Sequence, residues 1–182
     1  MRIILLLMAL GLVLGCRPTP VKMTPQKITG KAYAGNHQFY LFDADRRGNT
    51  AAPGFFDREA METRLPIGRG VVGIMTSTDG EVPVTLESLE GEPTAEMSAW
   101  AHIVEAPLQV SKGRIQIVGC PDEPTQVMVN LPPGDYIVRV SFSKVIEGDS
   151  DVWAGDSYQL QVYPGKIAGR RVLKHHAPTR PE

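Results

Sequence analysis

Apolar and polar residues alternate along most of the chain. Each run of alternation is short, is rich in β-branched and aromatic residues, and ends at Gly, Pro, Asp or Asn, as β-strands joined by turns do. Eight runs follow this pattern: 37–43, 70–76, 81–89, 100–110, 114–119, 126–131, 135–143 and 157–163. No long run repeats with the helical period of 3.6. The pattern predicts an all-β fold, and the number and spacing of the runs favour an antiparallel β-sandwich of about eight strands over a closed barrel.

Two local patterns add detail to the predicted fold. A single short helix is predicted over 57–63, with Asp57 as its N-terminal cap. The sequence Pro-Pro-Gly-Asp at 132–135 favours a turn before the strand that begins near Tyr136. This arrangement resembles the tyrosine corner of immunoglobulin-like sandwiches, in which the Tyr hydroxyl bonds back to the preceding turn. The resemblance implies a stabilising role for Tyr136 and carries no functional information.

The N-terminal residues have the pattern of an export signal. Residues 3–14 are almost entirely apolar, follow the basic Arg2, and are too few to span a hydrocarbon core of about 30 Å as a helix. The sequence Val-Leu-Gly-Cys at 13–16 resembles the bacterial lipobox. That resemblance implies cleavage after Gly15 and a thioether-linked diacylglycerol on Cys16. An ordinary secretory peptide and an uncleaved anchor are the alternatives.

The lipobox resemblance also implies a location. Residues 1–15 would be the signal peptide, and the mature chain would be held in the cell envelope by the lipid membrane through acylated Cys16, because several acyl chains make anchoring stable. Arg17 rather than Asp follows the cysteine, which implies the periplasmic side of the outer membrane if the host is Gram-negative.

Proline-rich polar segments flank the predicted strands. The segment 16–35 is predicted to be a semi-extended tether, and 168–182 a flexible basic tail, which leaves 36–167 as the sandwich domain. His175 and His176 lie in the tail and are interpreted as solvated side chains rather than metal ligands.

Charge and cysteine content restrict the function. The chain has 19 basic and 20 acidic residues, and removing Arg2 with the signal peptide leaves 18 against 20, a net charge of −2. That balance does not suggest a nucleic-acid partner. With Cys16 acylated, Cys120 has no partner for an internal disulfide, and we expect it to be buried as a small apolar residue.

The sequence contains none of the familiar catalytic or cofactor motifs. It has no G-x-S-x-G, H-E-x-x-H, C-x-x-C or glycine-rich phosphate loop. His37 and His102 are isolated within strand patterns and are interpreted as packing or surface residues. We therefore predict that the protein is not an enzyme, with no catalytic residue, metal or cofactor.

An acidic segment joins the last two predicted strands and is the candidate for partner binding. It contains four carboxylates and one tryptophan: Glu147, Asp149, Asp151, Trp153 and Asp156. The carboxylates would steer a basic partner, and the tryptophan would supply a buried anchor. The alternative is a solvated loop with its tryptophan packed against the sandwich.

Four stretches in the second half of the chain carry a family resemblance. They are 100–110, Gly-Arg-Ile-Gln-Ile-Val-Gly-Cys at 113–120, Leu-Pro-Pro-Gly-Asp-Tyr-Ile-Val-Arg-Val at 131–140, and 158–164. These stretches resemble small β-rich bacterial proteins similar to the ComJ nuclease inhibitors and to proteins with immunity roles. The resemblance implies a non-enzymatic inhibitor of a toxin, nuclease or envelope protein, and it assigns no binding residue.

Three functional hypotheses follow. The first is a membrane-anchored, protein-binding lipoprotein of the immunity or inhibitor type. The second is a structural, glycan-binding or ligand-binding module of the envelope. The third is a hydrolase whose site is formed only in space, in which His37 or His102 would act as the base.

Overall fold

The computed structural model describes residues 23–44, 48–94, 96–146 and 155–176. These residues form two packed sheets and one short α-helix, so the predicted β-sandwich is confirmed. The helix is α1 (Arg58–Thr63), and two 3₁₀ turns occupy Gly35–His37 and Met97–Ala99. No helix in this part of the chain is long and apolar enough to cross a membrane.

Eleven strands are present in the described ranges. They are β1 (Gln26–Ala34), β2 (Gln38–Asp43), β3 (Ile67–Gly68), β4 (Val71–Met75), β5 (Gly80–Ser88), β6 (His102–Val110), β7 (Arg114–Gly119), β8 (Glu123–Asn130), β9 (Gly134–Phe142), β10 (Tyr158–Pro164) and β11 (Arg171–Lys174). All eight predicted runs contain a strand. One sheet has the order β1-β5-β10-β9-β6-β11 and the other β3-β4-β2-β7-β8. Adjacent strands are antiparallel except β5 and β10, which run parallel.

The core lies between the inner faces of the two sheets. Alternation directs one face of each strand inward, so Phe39 of β2 and Phe142 of β9 are both essentially unexposed. Both rings pack edge-on against Tyr158 of β10, with centroids 5.4 and 5.3 Å away. The outer face of the six-stranded sheet carries the polar members of the same alternation.

Three local predictions are confirmed. Asp57 caps α1, since its Oδ1 accepts a hydrogen bond from the Ala60 amide at 2.6 Å. The Tyr136 hydroxyl donates to the Pro132 carbonyl at 2.7 Å, which is the bond expected of a tyrosine corner. Cys120 is buried, with a free thiol.

The sandwich begins earlier than the sequence pattern indicated. Strand β1 lies within the segment predicted as a tether, and it pairs with β5 along its whole length from Gln26 to Ala34. Met23 is also in the core, with 5% of its surface exposed. The strand was missed because it is an edge strand whose inward positions hold small residues such as Gly30 and Ala32. Residues 16–22 lie outside the described residues.

The sandwich also extends further toward the C-terminus than predicted. The segment that was expected to be a flexible tail contains β11, which pairs with the edge of β6. Just before it, the Arg170 side chain is 3% exposed and holds α1, with its Nε 2.6 Å from the Leu65 carbonyl and Nη1 2.9 Å from Glu59. The basic side chain of Arg170 therefore forms part of the folded domain. Residues 177–182 lie outside the described ranges.

His102 is buried at the start of β6 and points into the sandwich. Its Nε2 is 3.1 Å from the Thr63 carbonyl, and its ring packs on Phe142 at 5.1 Å. Burial lowers its pKa from the ordinary value, and the charges of the adjacent His176 and His175 act in the same direction. In the described part of the chain, no group of three or more His, Cys, Asp or Glu side chains is placed to hold a metal ion.

Candidate binding site on the outer face of the six-stranded sheet

Most of the predicted acidic segment lies outside the described residues. This applies to Glu147, Asp149, Asp151 and Trp153, so their role as a binding surface stays a prediction. Asp156 is described, and it is 1% exposed. Its carboxylate accepts hydrogen bonds from groups within the protein, so it is not exposed for contact with a partner.

Asp156 fastens one end of this segment to the turn between β4 and β5. Its Oδ2 accepts hydrogen bonds from the main-chain amides of Ser77 at 2.9 Å and Thr78 at 3.3 Å, and the Thr78 and Tyr158 hydroxyls also donate to the carboxylate. Burial alone would raise the pKa of Asp156. The hydrogen bonds from Thr78, Tyr158 and Ser77 outweigh it and hold the pKa below its ordinary value.

The other end of the segment is fastened to the same turn. The Ile146 amide donates to Ser77 Oγ at 2.9 Å, and Arg64 Nη2 donates to the Ile146 carbonyl at 3.0 Å. Just outside the two ends, the Ser143 hydroxyl accepts a hydrogen bond from the Ser157 amide at 2.8 Å. The segment therefore leaves and re-enters the sandwich at two fixed points.

The outer face of the six-stranded sheet carries a row of charged and amide side chains that crosses every strand. Its members stand directly opposite one another: Lys27 of β1, Glu87 of β5, Gln161 of β10, Arg139 of β9, Glu105 of β6 and Arg171 of β11. We call this set the charge row. Cations and carboxylates are interspersed along it, so each carboxylate has a donor beside it.

Glu105 of β6 organises the end of the charge row next to the edge strand β11, and none of its surface is exposed. Its Oε1 accepts from Arg139 Nε at 2.9 Å and from the Tyr163 hydroxyl at 2.5 Å, and its Oε2 accepts from Arg171 Nε at 2.7 Å. Burial alone would raise its pKa, but the bonds from Tyr163, Arg171 and Arg139 hold the pKa below the ordinary value. Arg139 also bonds Glu92 at 3.0 Å.

Glu87 organises the opposite end of the charge row. Lys27 Nζ lies 2.5 Å from its Oε1, while the side-chain amides of Gln159 and Gln161 donate to its Oε2 at 3.1 and 2.9 Å. These bonds fix the orientation of the two glutamines, because each amide nitrogen is directed toward Glu87. The amide oxygens are thereby left to face elsewhere.

A second row runs beside the charge row and has shorter side chains. Across β5, β10, β9 and β6 it consists of Thr85, Gln159, Ser141 and Ile103. Described residues of the connection between β5 and β6, among them Thr94, Glu96 and Trp100, lie above this row. Lys174 of β11 holds that connection in place by donating to the carbonyls of Met97 at 2.8 Å and Trp100 at 2.5 Å.

A cleft of about 270 Å³ lies between this connection and the sheet. Its wall is formed by Thr94, Glu96 and Trp100 of the connection. Its floor is formed by five residues of the sheet: Ile103, Arg139, Ser141, Gln159 and Gln161. The alternation of β9 puts Arg139 and Ser141 on the same face of one strand, but nothing in that strand alone indicates the cleft.

Neither isolated histidine belongs to this cleft. His102 points to the opposite, inner side of β6 and bonds a main-chain oxygen. His37 lies in the 3₁₀ turn between β1 and β2 and is half-buried. The arrangement of the outer face is thus one of paired charges, amides and a hydroxyl around a small concave surface, which suits binding.

The fold defines the class of protein as an all-β sandwich made of a six-stranded and a five-stranded sheet. No family model matches the chain, and no curated protein matches its sequence. Among solved structures, the fold is similar to that of ComJ from Bacillus subtilis, an inhibitor of the DNA-degrading activity of NucA. The TM-score is 0.56 at 17% identity, covering 79% of this chain and 96% of ComJ. The crocagin biosynthetic gene J protein covers 79% of this chain and 100% of its own, at 15% identity and a TM-score of 0.48.

The likeness to ComJ confirms, at the level of the fold, the resemblance seen in the sequence. It extends beyond the stretches that first suggested it, since it covers nearly the whole of ComJ. At this identity the likeness is one of architecture.

Proposed function

We propose that the protein is a non-enzymatic binding protein that inhibits a protein partner, such as a nuclease or toxin. The observation that carries the proposal is the fold shared with ComJ over 96% of that inhibitor's length. The resemblance of four sequence stretches to the same group supports it independently.

We propose the acidic segment as the surface that contacts the partner. A nuclease needs a basic surface to hold nucleic-acid phosphates, and carboxylates are the complementary groups on an inhibitor. The fixed ends at Ile146 and Asp156 support this role, because a segment with anchored ends loses less conformational freedom on binding. Glu147, Asp149 and Asp151 would supply the charge, and Trp153 the anchor.

Charge reversal in the segment should release the partner. Residues 17–182 are immobilised as bait for host envelope extract, and the residual DNA-degrading activity of the extract is measured. The wild type should retain a partner and lower that activity. Asp149→Lys with Asp151→Lys should weaken capture by about tenfold or more, since like charges then face each other.

The matched control carries the same change in charge elsewhere. Glu123→Lys with Asp135→Lys alters two exposed carboxylates outside the segment, and we expect capture within about twofold of the wild type. If both double variants lose the partner equally, the acidic segment is not the contact surface. If no bait retains a protein and nuclease activity is unchanged, the inhibitor function is refuted.

We also propose that the protein is anchored to the envelope by lipid on Cys16. The support is the sequence at 2–16, which has a basic residue, an apolar run and a lipobox-like end. Cells grown with an alkyne-bearing palmitate analogue should label the wild type and the Cys120→Ser variant equally. The Cys16→Ser variant should lose the label and leave the membrane fraction. Label retained on Cys16→Ser would refute the anchor.

A further inference from the structure

We infer that the cleft beneath the β5–β6 connection binds a neutral, hydroxyl-rich ligand of about the size of one sugar ring. This site is separate from the acidic segment, and it does not depend on the proposed inhibitor function.

The dimensions of the cleft set the size of the ligand. Its volume of about 270 Å³ is just below the range of roughly 300–1,000 Å³ that pockets for drug-sized molecules occupy. One side is the rigid sheet, and the other is the connection that Lys174 fastens at Met97 and Trp100. The cleft is therefore shaped before any ligand arrives, which lowers the entropic cost of binding.

A hydroxyl that lines the floor points to a hydrogen-bonding ligand. Ser141 is 3% exposed and lines the cleft, yet its hydroxyl makes no hydrogen bond to any of the described residues. The hydroxyl opens into the cleft, where a polar group is satisfied by water or by a ligand. A ligand hydroxyl in the cleft would satisfy it.

The two glutamines beside Ser141 make the floor rich in acceptors. Their amide nitrogens are already committed to Glu87, so each presents its amide oxygen as the remaining hydrogen-bonding group. Neither amide oxygen has a donor among the described residues. Acceptors of this kind require a ligand that donates, which hydroxyl groups do.

The charges around the cleft favour a neutral ligand. Arg139 is the cation of the floor, and its guanidinium is occupied by Glu105, Glu92 and the Pro93 carbonyl. No cationic donor of the floor is left to hold an anion, and Glu96 on the exposed wall would repel one. Trp100 lines the same wall, and an indole ring is a group that complements the C–H face of a sugar ring.

Fluorescence of Trp100 gives a direct test. The chain has two tryptophans, so Trp153→Phe leaves Trp100 as the sole indole. The full chain, in a detergent without a sugar headgroup, is titrated with glucose, galactose, N-acetylglucosamine and glucuronate. At least one neutral sugar should change the emission, with a Kd of about 1–10 mM for a ligand of this size. Glucuronate should bind more weakly.

Variants in the floor and wall locate the ligand. Ser141→Ala should weaken binding by about 2- to 10-fold, as expected for one lost hydrogen bond. Thr85→Ala removes a hydroxyl from the same row of the sheet but outside the cleft, and it should have no effect. Ligand-observed NMR should show binding abolished in Trp100→Ala, with circular dichroism confirming that the fold is intact.

Three results would overturn the inference. One is the failure of every neutral sugar to bind below about 50 mM, well above the affinity expected for such a ligand. Another is binding that Ser141→Ala and Thr85→Ala weaken equally. The third is tighter binding of glucuronate than of the neutral sugars, which would mean that the cleft selects an anion.

Discussion

Replacing Glu105 by alanine is expected to lower the free energy of unfolding by about 3–5 kcal/mol. The Glu105 carboxylate is fully buried and accepts bonds from Arg139, Arg171 and Tyr163. Its removal leaves the Arg139 guanidinium, whose side chain is 3% exposed, beside an empty space, with the more exposed Glu92 as its remaining counter-charge. Arg171 loses less, because 48% of its side chain is exposed and water can solvate it.

Urea denaturation of wild type and variant measures this effect. A matched control is Glu81→Ala, whose carboxylate is 62% exposed and 2.8 Å from Lys31. We expect the control to change stability by at most about 1 kcal/mol, as for surface ion pairs in general. Equal losses in the two variants would mean that burial does not strengthen the contribution of Glu105.

A double variant separates charge from packing. Glu105→Leu with Arg139→Met removes both buried charges and keeps the volume filled, and such replacements of buried ion pairs are often neutral or stabilising. We expect the double variant to be more stable than Glu105→Ala. If it is instead less stable, the hydrogen bonds of the charge row contribute more than the cost of desolvating the two charges.

Replacing Asp156 by asparagine is expected to lower the free energy of unfolding by about 2–4 kcal/mol, because donors are left without acceptors. The carboxylate accepts from the main-chain amides of Ser77 and Thr78 and from the hydroxyls of Thr78 and Tyr158. An amide group has only one accepting oxygen, and its NH₂ group would face donors. Asp79→Asn, in the same turn but exposed, should be close to neutral.

Asp156 also gives the stability a dependence on acid pH. Its pKa in the folded protein is lower than the ordinary value of 3.8, so the unfolded chain takes up the proton first as pH falls. The contribution of Asp156 is complete above that ordinary value and is lost as pH falls toward the lower, folded pKa. The free energy of unfolding, measured by urea denaturation at several pH values from 5 to 2, should fall less steeply with pH for Asp156→Asn than for the wild type. If the free energies of unfolding of the two proteins fall equally with pH, the folded structure does not stabilise the charged form of Asp156.

The strands of the sandwich interior could be predicted from the sequence because their alternation reflects one buried and one outward face. Strands β1 and β11 could not, because they lack a regular alternation of large apolar and polar residues. Their outward positions hold Lys and Arg, and few of their inward positions hold large apolar residues. The basic residues that suggested a flexible tail are instead partners of buried or main-chain acceptors, as Arg170 and Lys174 show.

The charge row on the outer face could not be predicted from the sequence. It depends on which strands are neighbours in the sheet, and no single strand carries that information. Glu87 and Glu105 occupy ordinary outward positions in their own runs, and nothing local marks them as buried. The charge row exists only because β10 inserts between β5 and β9, in parallel with the first and antiparallel to the second. Asp156 shows the reverse error, since its acidic neighbours in the sequence suggested a surface that its position in the core does not provide.

The burial of Met23 determines how far the domain can stand from a membrane. If Cys16 carries the lipid, as proposed, only seven peptide units separate it from Met23, the first of the described residues that is fixed in the core. Fully extended, they reach about 25 Å. The short tether would then confine the domain to a thin layer next to the bilayer, and a partner would meet it by diffusing along that surface. An enzyme entering through the envelope would encounter the protein at the point of entry.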